Sequence, residues 1–234
     1  MTIDVVTLFP EMVDFPLSLS IIGRARKKGL LKLGFVNPRD FATDNHKTVD
    51  SKPYGGGSGM LLMADPVYKA ISKVRRKNSY VILLTPKGKV FNQKLAFNLL
   101  SKKHIVLICG HYEGIDERIS GFIDDEISIG DFILSGGEPA AICFIDCIAR
   151  LIDGVINKES AKNESFSEYL LEPPQYTRPF IWRNKRVPKV LLSGNHKEIA
   201  MWRFKKSIEI TRRKRPDLYK KFLEKSKENI KEEK

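Results

Sequence analysis

Short apolar runs alternate with amphipathic stretches through the first two thirds of the chain. IDVVTLF (3–9), LLKLGFV (30–36), YVILLT (80–85), HIVLIC (104–109) and EISIGDFIL (126–134) have the length and β-branched content of buried strands. Between them SLSIIGRARKKG, DPVYKAISKVRRK, FNQKLAFNLLSK and PAAICFIDCIARLI place apolar residues at helical spacing. Strands alternating with helices predict an α/β domain whose mostly parallel sheet is covered by helices on both faces. The pattern breaks in residues 157–180, polar at first and then proline-rich, so that stretch reads as a linker. Beyond it Asn195, with Glu198 three positions on, predicts a capped helix, and Pro216 starts another. The expected organisation is a large domain over residues 1–157, a flexible linker over 158–175 and a basic helical domain over 176–234. The tail after Arg215, short and mixed in charge, is expected to fray.

Charge sharpens the division. The 234 residues carry a net +13, and residues 178–234 hold 19 of the 41 Lys and Arg against 7 of the 28 Asp and Glu. Almost all the excess therefore lies in the last quarter, interleaved with Tyr176, Phe180, Trp182, Trp202, Phe204, Tyr219 and Phe222. Cations among stacking surfaces suit a polyanion with exposed bases; the alternative is a solvated basic helix whose rings are core. No run of eighteen apolar residues exists, and Asp4 stands where a signal peptide would be basic, so a cytoplasmic protein is expected. Cys109, Cys143 and Cys147 form no CxxC pair, and His46, His104, His111 and His196 are scattered, so no zinc site is expected. Cys143 and Cys147, one helical turn apart, are expected on one packed face.

The glycines carry the candidate chemistry. No glycine turn follows the first strand, and GGGSGM (55–60) fits neither GxGxxG nor GxxxxGK[ST]. Instead Gly88 in LLTPKGK, Gly110 and Gly114 in CGHYEG, and Gly130, Gly136 and Gly137 in SIGDFILSGGEP each stand just past a strand-like run. Three such loops meet at the carboxyl edge of a parallel sheet, where these sheets bind ligands. Little side-chain obstruction leaves backbone N–H and C=O groups to read a ligand by its edges, as for an adenine.

KPYGGGSGM, LLTPKGK, CGHYEGIDERI, EISIGDFILSGGEPAA, LEPPQYTRP and VLLSGNHKEIAMWR, in that order from VVTLFPEM to about Arg215, resemble the bacterial tRNA (guanine-N1-)-methyltransferases, the TrmD type of the SPOUT class. The resemblance implies a deep trefoil knot at the carboxyl end of the sheet, S-adenosylmethionine bound in it, and a homodimer with active sites between subunits. It implies N1 methylation of the guanosine at tRNA position 37, just 3′ of the anticodon. Cofactor-binding residues would be Thr85, Pro86 and Gly88; Gly110, Tyr112 and Glu113; and Ile129, Gly130, Asp131, Phe132, Ile133, Leu134, Ser135, Gly136 and Gly137. Asp50, Tyr54, Gly55, Gly56, Gly57 and Gly59 would face the target base, and Ser165, Arg178, His196 and Arg203 would contact tRNA. No metal ligands are assigned, although family membership leaves room for Mg²⁺ to assist.

Guanine N1 carries a proton and becomes nucleophilic only as that proton leaves, so a base is required, and a fixed cation can stabilise the charge that builds on O6. By position in the family pattern the base is Glu164, where an aspartate is usual, and the cation is Arg150. His111 stands where an arginine is also familiar and is assigned no catalytic proton. Two rival readings stay open: a SPOUT enzyme acting on another RNA nucleotide, and an RNA-binding protein without catalysis.

Overall fold

The computed structural model describes residues 1–156, 165–166 and 168–232, which divide into two compact units, Met1–Asn157 and Lys158–Lys234. In the first unit β1 (Thr2–Val6), β2 (Lys32–Val36), β5 (Ser79–Val90), β6 (His104–Cys109) and β7 (Asp125–Ser128) form one sheet in the order β2-β1-β6-β5-β7, parallel throughout. The two-residue strands β3 (Asp50–Ser51) and β4 (Leu61–Leu62) pair separately, antiparallel. The central strand β6, HIVLIC, is buried at every position, which demands cover on both faces. Alternate side chains supply it. Ile105, Leu107 and Cys109 join Ile3 and Val5 in a core closed by α1 (Pro10–Leu17), α2 (Ser20–Lys27), α4 (Gln93–Leu99) and α5 (Glu138–Leu151). Val106 and Ile108 turn the other way, into a core with Val6, Val49 and Ile119 that α3 (Ala64–Val74) covers.

Several elements depart from the pattern in the sequence. Helix α1 is one the periodicity does not announce, because Pro10 and Pro16 read as breakers. Pro10 occupies the first turn, where no N–H is required, and Pro16 lies one residue from the end. The apolar run 126–134 is a strand only to Ser128. Gly130, at φ +150°, turns the chain out and leaves Phe132 and Ile133 53% and 82% exposed. Cys143 and Cys147 do not share a packed face: Cys143 is exposed and Cys147 half-buried, since Phe144, Ile145 and Ile148 take the inner side of α5. Cys109 is buried in the core, and that burial, with the charge of Glu138, pushes its thiol well above the usual range.

The amino ends of three strands are tied by a polar chain. The two ring nitrogens of His104 reach Asp4 Oδ2 and Ser79 Oγ, each at 2.7 Å, with Asp4 and His104 both buried. Replacing His104 by leucine leaves Asp4 in the sheet with Arg76, at 3.7 Å, as its remaining ion-pair partner among the described residues. The variant should lose about 2–3 kcal/mol of unfolding free energy in urea titration, whereas a change below about 1 kcal/mol would show that water can take the imidazole's place.

In the second unit β8 (Ile181–Trp182) and β9 (Lys185–Arg186) form a hairpin whose turn residues Arg183 and Asn184 both have positive φ, +46° and +63°. Helix α6 (His196–Lys214) starts as its sequence predicts, with Asn195 Oδ1 accepting from the Glu198 N–H at 3.3 Å. The buried Thr211 hydroxyl accepts from the Leu171 N–H at 2.8 Å and so fastens the proline-rich segment to α6. Helix α7 (Pro216–Glu232) runs on through the tail that was expected to fray. Among the described residues no helix is long and apolar enough to cross a membrane.

Candidate active site

The segments that follow β6 and β7 meet at the carboxyl edge of the sheet. Gly137, at the start of α5, donates its N–H to Gly110 O at 2.9 Å, and Gly136 pairs with His111 as an isolated antiparallel bridge. The approach is close: a Cβ at Gly137 would stand 2.7 Å from Cys109 Cα, so no other residue fits there. Gly110 differs, because a Cβ would find nothing nearer than Ile115 at 3.8 Å, leaving its outer side open to a ligand. Tyr112 is held at φ +60° and is half-exposed beside that opening.

The third glycine loop is not past a strand. β5 continues to Val90 through a break in register between Leu84 and Lys89, so Thr85, Pro86 and Gly88 form a bulge. Gly88 is needed for β7, since a Cβ would meet the backbone of Glu126 and Ile127 at 2.4 Å. In the segment after β7, Ile129 and Gly130 are half-buried, and Ser128 Oγ bonds Gly130 through both its N–H and its C=O. Asp131 to Ser135 are exposed.

The structure also brings GGGSGM to the loop after β6. Glu113 donates its N–H to Met60 O, Leu62 to Gly114 O and Asp116 to Leu62 O, all near 3.0 Å. The Glu113 side chain lies against Gly59, where a Cβ would meet its Cγ at 2.4 Å. Gly55, Gly56, Gly57 and Gly59 all have positive φ, and nothing lies within 4 Å of where a Cβ would stand on the first three. Tyr54 is fully exposed, and Asp50 is half-buried in β3. The far end of CGHYEGIDERI is structural. Arg118 donates to Asp116 from Nε at 2.9 Å and Nη2 at 2.6 Å, and that fork holds the Asp116 carboxyl at about 2.

Arg150 is not brought to these loops within one chain. It is half-buried in the last turn of α5, twelve residues along from Glu138, or about 18 Å at helical rise. Glu164 lies outside the described residues. In the second unit Arg178, His196 and Arg203 line one groove of about 1120 Å³ with Tyr176, Phe180 and Phe204. These three rings are about half exposed, as is Trp182, which carries the Arg183 guanidinium 5.0 Å above its ring. Their exposure favours the stacking reading over the core one. Ser165 instead exchanges hydrogen bonds with Glu172, its N–H to Oε1 at 3.3 Å and its Oγ from the Glu172 N–H at 3.1 Å. Among the described residues no group of three His, Cys, Asp or Glu side chains could hold a metal ion.

Glu138 was not singled out by the sequence, yet it is fully buried at the junction of the loops, bonded to Thr7 Oγ1 and, at 2.7 Å, to His111 Nε2. An acid in the first turn of a helix otherwise apolar on its inner side was the available signal.

The arrangement is that of a parallel α/β ligand-binding domain with glycine-shaped loops at its carboxyl edge. Over residues 1–221 the chain matches the family described as tRNA (Guanine-1)-methyltransferase TrmD, and it belongs to that family. It is 58% identical over 223 residues to the tRNA (guanine-N(1)-)-methyltransferase of Caldanaerobacter subterraneus subsp. tengcongensis, covering 94% of this chain and 92% of the relative. It is 54% identical to the proteins of that name from Carboxydothermus hydrogenoformans, over 94% of this chain and 88% of the relative, and Clostridium botulinum strain Kyoto, over 95% and 93%.

Proposed function

We propose that this chain is an S-adenosylmethionine-dependent enzyme that methylates N1 of the guanosine at tRNA position 37, in the cytoplasm. The observation that carries the reading is the meeting of the loops at 55–60, 110–116 and 129–137 in a chain of this family. The cofactor fits the lining: an open side at Gly110 that a Cβ there would fill, and exposed apolar Phe132 and Leu134. When bound, it supplies a methyl group carried on a sulfonium.

The chain's own residues do the rest. Tyr54 and the open glycines at 55–57 border the target base, Glu164 accepts the N1 proton, and Arg150 offsets the charge that develops on O6. The second unit carries tRNA, with the groove at Arg178, His196 and Arg203 taking backbone phosphates and the exposed rings taking bases. Dimerisation is supported by Phe9, Met12, Phe15 and Leu19, four large apolar side chains between 42% and 68% exposed around α1. A knot at 129–137 is supported by the chain leaving β7, the neighbour of β5 at the sheet edge, and returning onto Gly110.

The test is methyl transfer from labelled S-adenosylmethionine to unmodified tRNA carrying guanosine at position 37, beside the same tRNA with adenosine there. Incorporation confined to guanosine is the expected result. No incorporation into either RNA would overturn the reading, and label on another nucleotide would move the target.

A further inference from the structure

Glu138 is a charge that the chemistry above does not use, set where burial is least favourable to it. Moving a carboxylate out of water costs several kcal/mol unless partners compensate, and an apolar residue would fill the space without that cost. Here both oxygens are engaged inward. Thr7 Oγ1 donates to one and His111 Nε2 stands 2.7 Å from the other, with the positive end of α5 adding its own support. Thr7 Oγ1 in turn accepts from the Phe9 N–H at 3.0 Å, and the Phe9 ring packs 5.0 Å from the imidazole. Gly136 is pressed between the two partners: a Cβ there would meet His111 Nε2 at 2.5 Å and Glu138 Oε2 at 2.6 Å. One carboxylate therefore joins the segments that follow β1, β6 and β7.

We infer that Glu138 and His111 form a positioning pair that sets the 110–113 loop in its ligand-binding shape. Neither oxygen of Glu138 faces the opening, so the pair acts through what His111 adjoins: Gly110 on one side, and on the other Tyr112, held in the left-handed region, and Glu113. A loop fixed before the ligand arrives need not be ordered by it, and the affinity gained is the fraction of molecules already competent. The inference rests on the cofactor reading given above.

The experiment is calorimetric titration of the full chain with S-adenosylmethionine, in parallel with urea unfolding of the ligand-free protein. His111→Phe keeps a ring against Phe9 but cannot donate; Glu138→Gln keeps the shape without the charge. Each should raise the dissociation constant about tenfold, and the double variant should be no worse than either single, the coupling expected of two residues acting as a unit. His111→Arg, whose guanidinium donates to a carboxylate, should recover affinity relative to His111→Phe. Unchanged dissociation constants, or losses that multiply in the double variant, would overturn the inference while leaving the cofactor reading intact. If the intact chain does not bind the cofactor, both fall. Should His111→Phe fail to fold, Glu138→Gln alone decides, because it removes the buried charge rather than stranding it.

Discussion

Glu164→Ala should lower methyl transfer to guanosine-37 tRNA by about 10²–10⁴-fold while leaving the dissociation constant for S-adenosylmethionine within about twofold. The split follows from where each residue acts. In the proposed site the cofactor meets the open side of Gly110, whereas the base would meet only the N1 proton. Single-turnover rates at saturating cofactor, with binding measured separately, read the two effects apart. Glu164→Asp adds a finer point: the glutamate is one methylene longer than the aspartate usual in the family, so restoring the short side chain on this linker withdraws the carboxylate by about 1 Å. A misplacement of that size is enough to cost rate, so the aspartate variant should fall between wild type and alanine. Full activity in Glu164→Ala would move the base elsewhere. Glu113, against Gly59 beside the opening, and Asp50 in β3 are then next in line.

How far the sequence led depended on whether each signal was local. β6, where five apolar residues follow His104 between a lysine pair and a glycine, was legible to the residue because burial on both faces leaves no polar position after His104 to blur it. Helix α6 was legible for the same kind of reason, its Asn195 cap being a contact three residues long. Elements defined by remote partners were not. β5 was read as stopping at Thr85, but it resumes after a bulge because β7 pairs with Lys89 and Val90, and that pairing is invisible from LLTPKGK alone. The same remoteness hid Glu138, whose partners lie 131 and 27 positions away. Glycines misled in one direction: those of the candidate loops were read as ligand approaches, yet Gly88 and Gly137 are required by neighbouring backbone, whereas Gly110, Gly114 and the 55–57 run leave open space.

Arg150 carries the second large effect, because its place in the fold dictates how many subunits make a site. α5 begins at Glu138 beside the glycine loops and ends at Leu151 with Arg150 in its last turn, so about 18 Å of helix separates the cation from the chemistry it is proposed to serve in the same chain. No side chain spans that length. The outer stripe of α5 at Cys143 and Asp146 is exposed, and Arg150 stands on the same side of the helix four residues on from Asp146, where a partner would meet it. Under two-fold symmetry each Arg150 then serves the other subunit's loops. Arg150→Ala alone should reduce kcat by about 10²–10³-fold, and Gly110→Val, which fits the chain but fills the ligand's edge, should abolish cofactor binding. Mixing the two inactive proteins under conditions that exchange subunits should restore activity. Half of the dimers are then mixed, and each mixed dimer has one intact site of two, giving about one quarter of wild-type turnover. A site completed within one chain would gain nothing from mixing, since every subunit carries one lesion. Restored activity would thus place the arginine across the interface, and its absence would require Arg150 to act by another route or not at all.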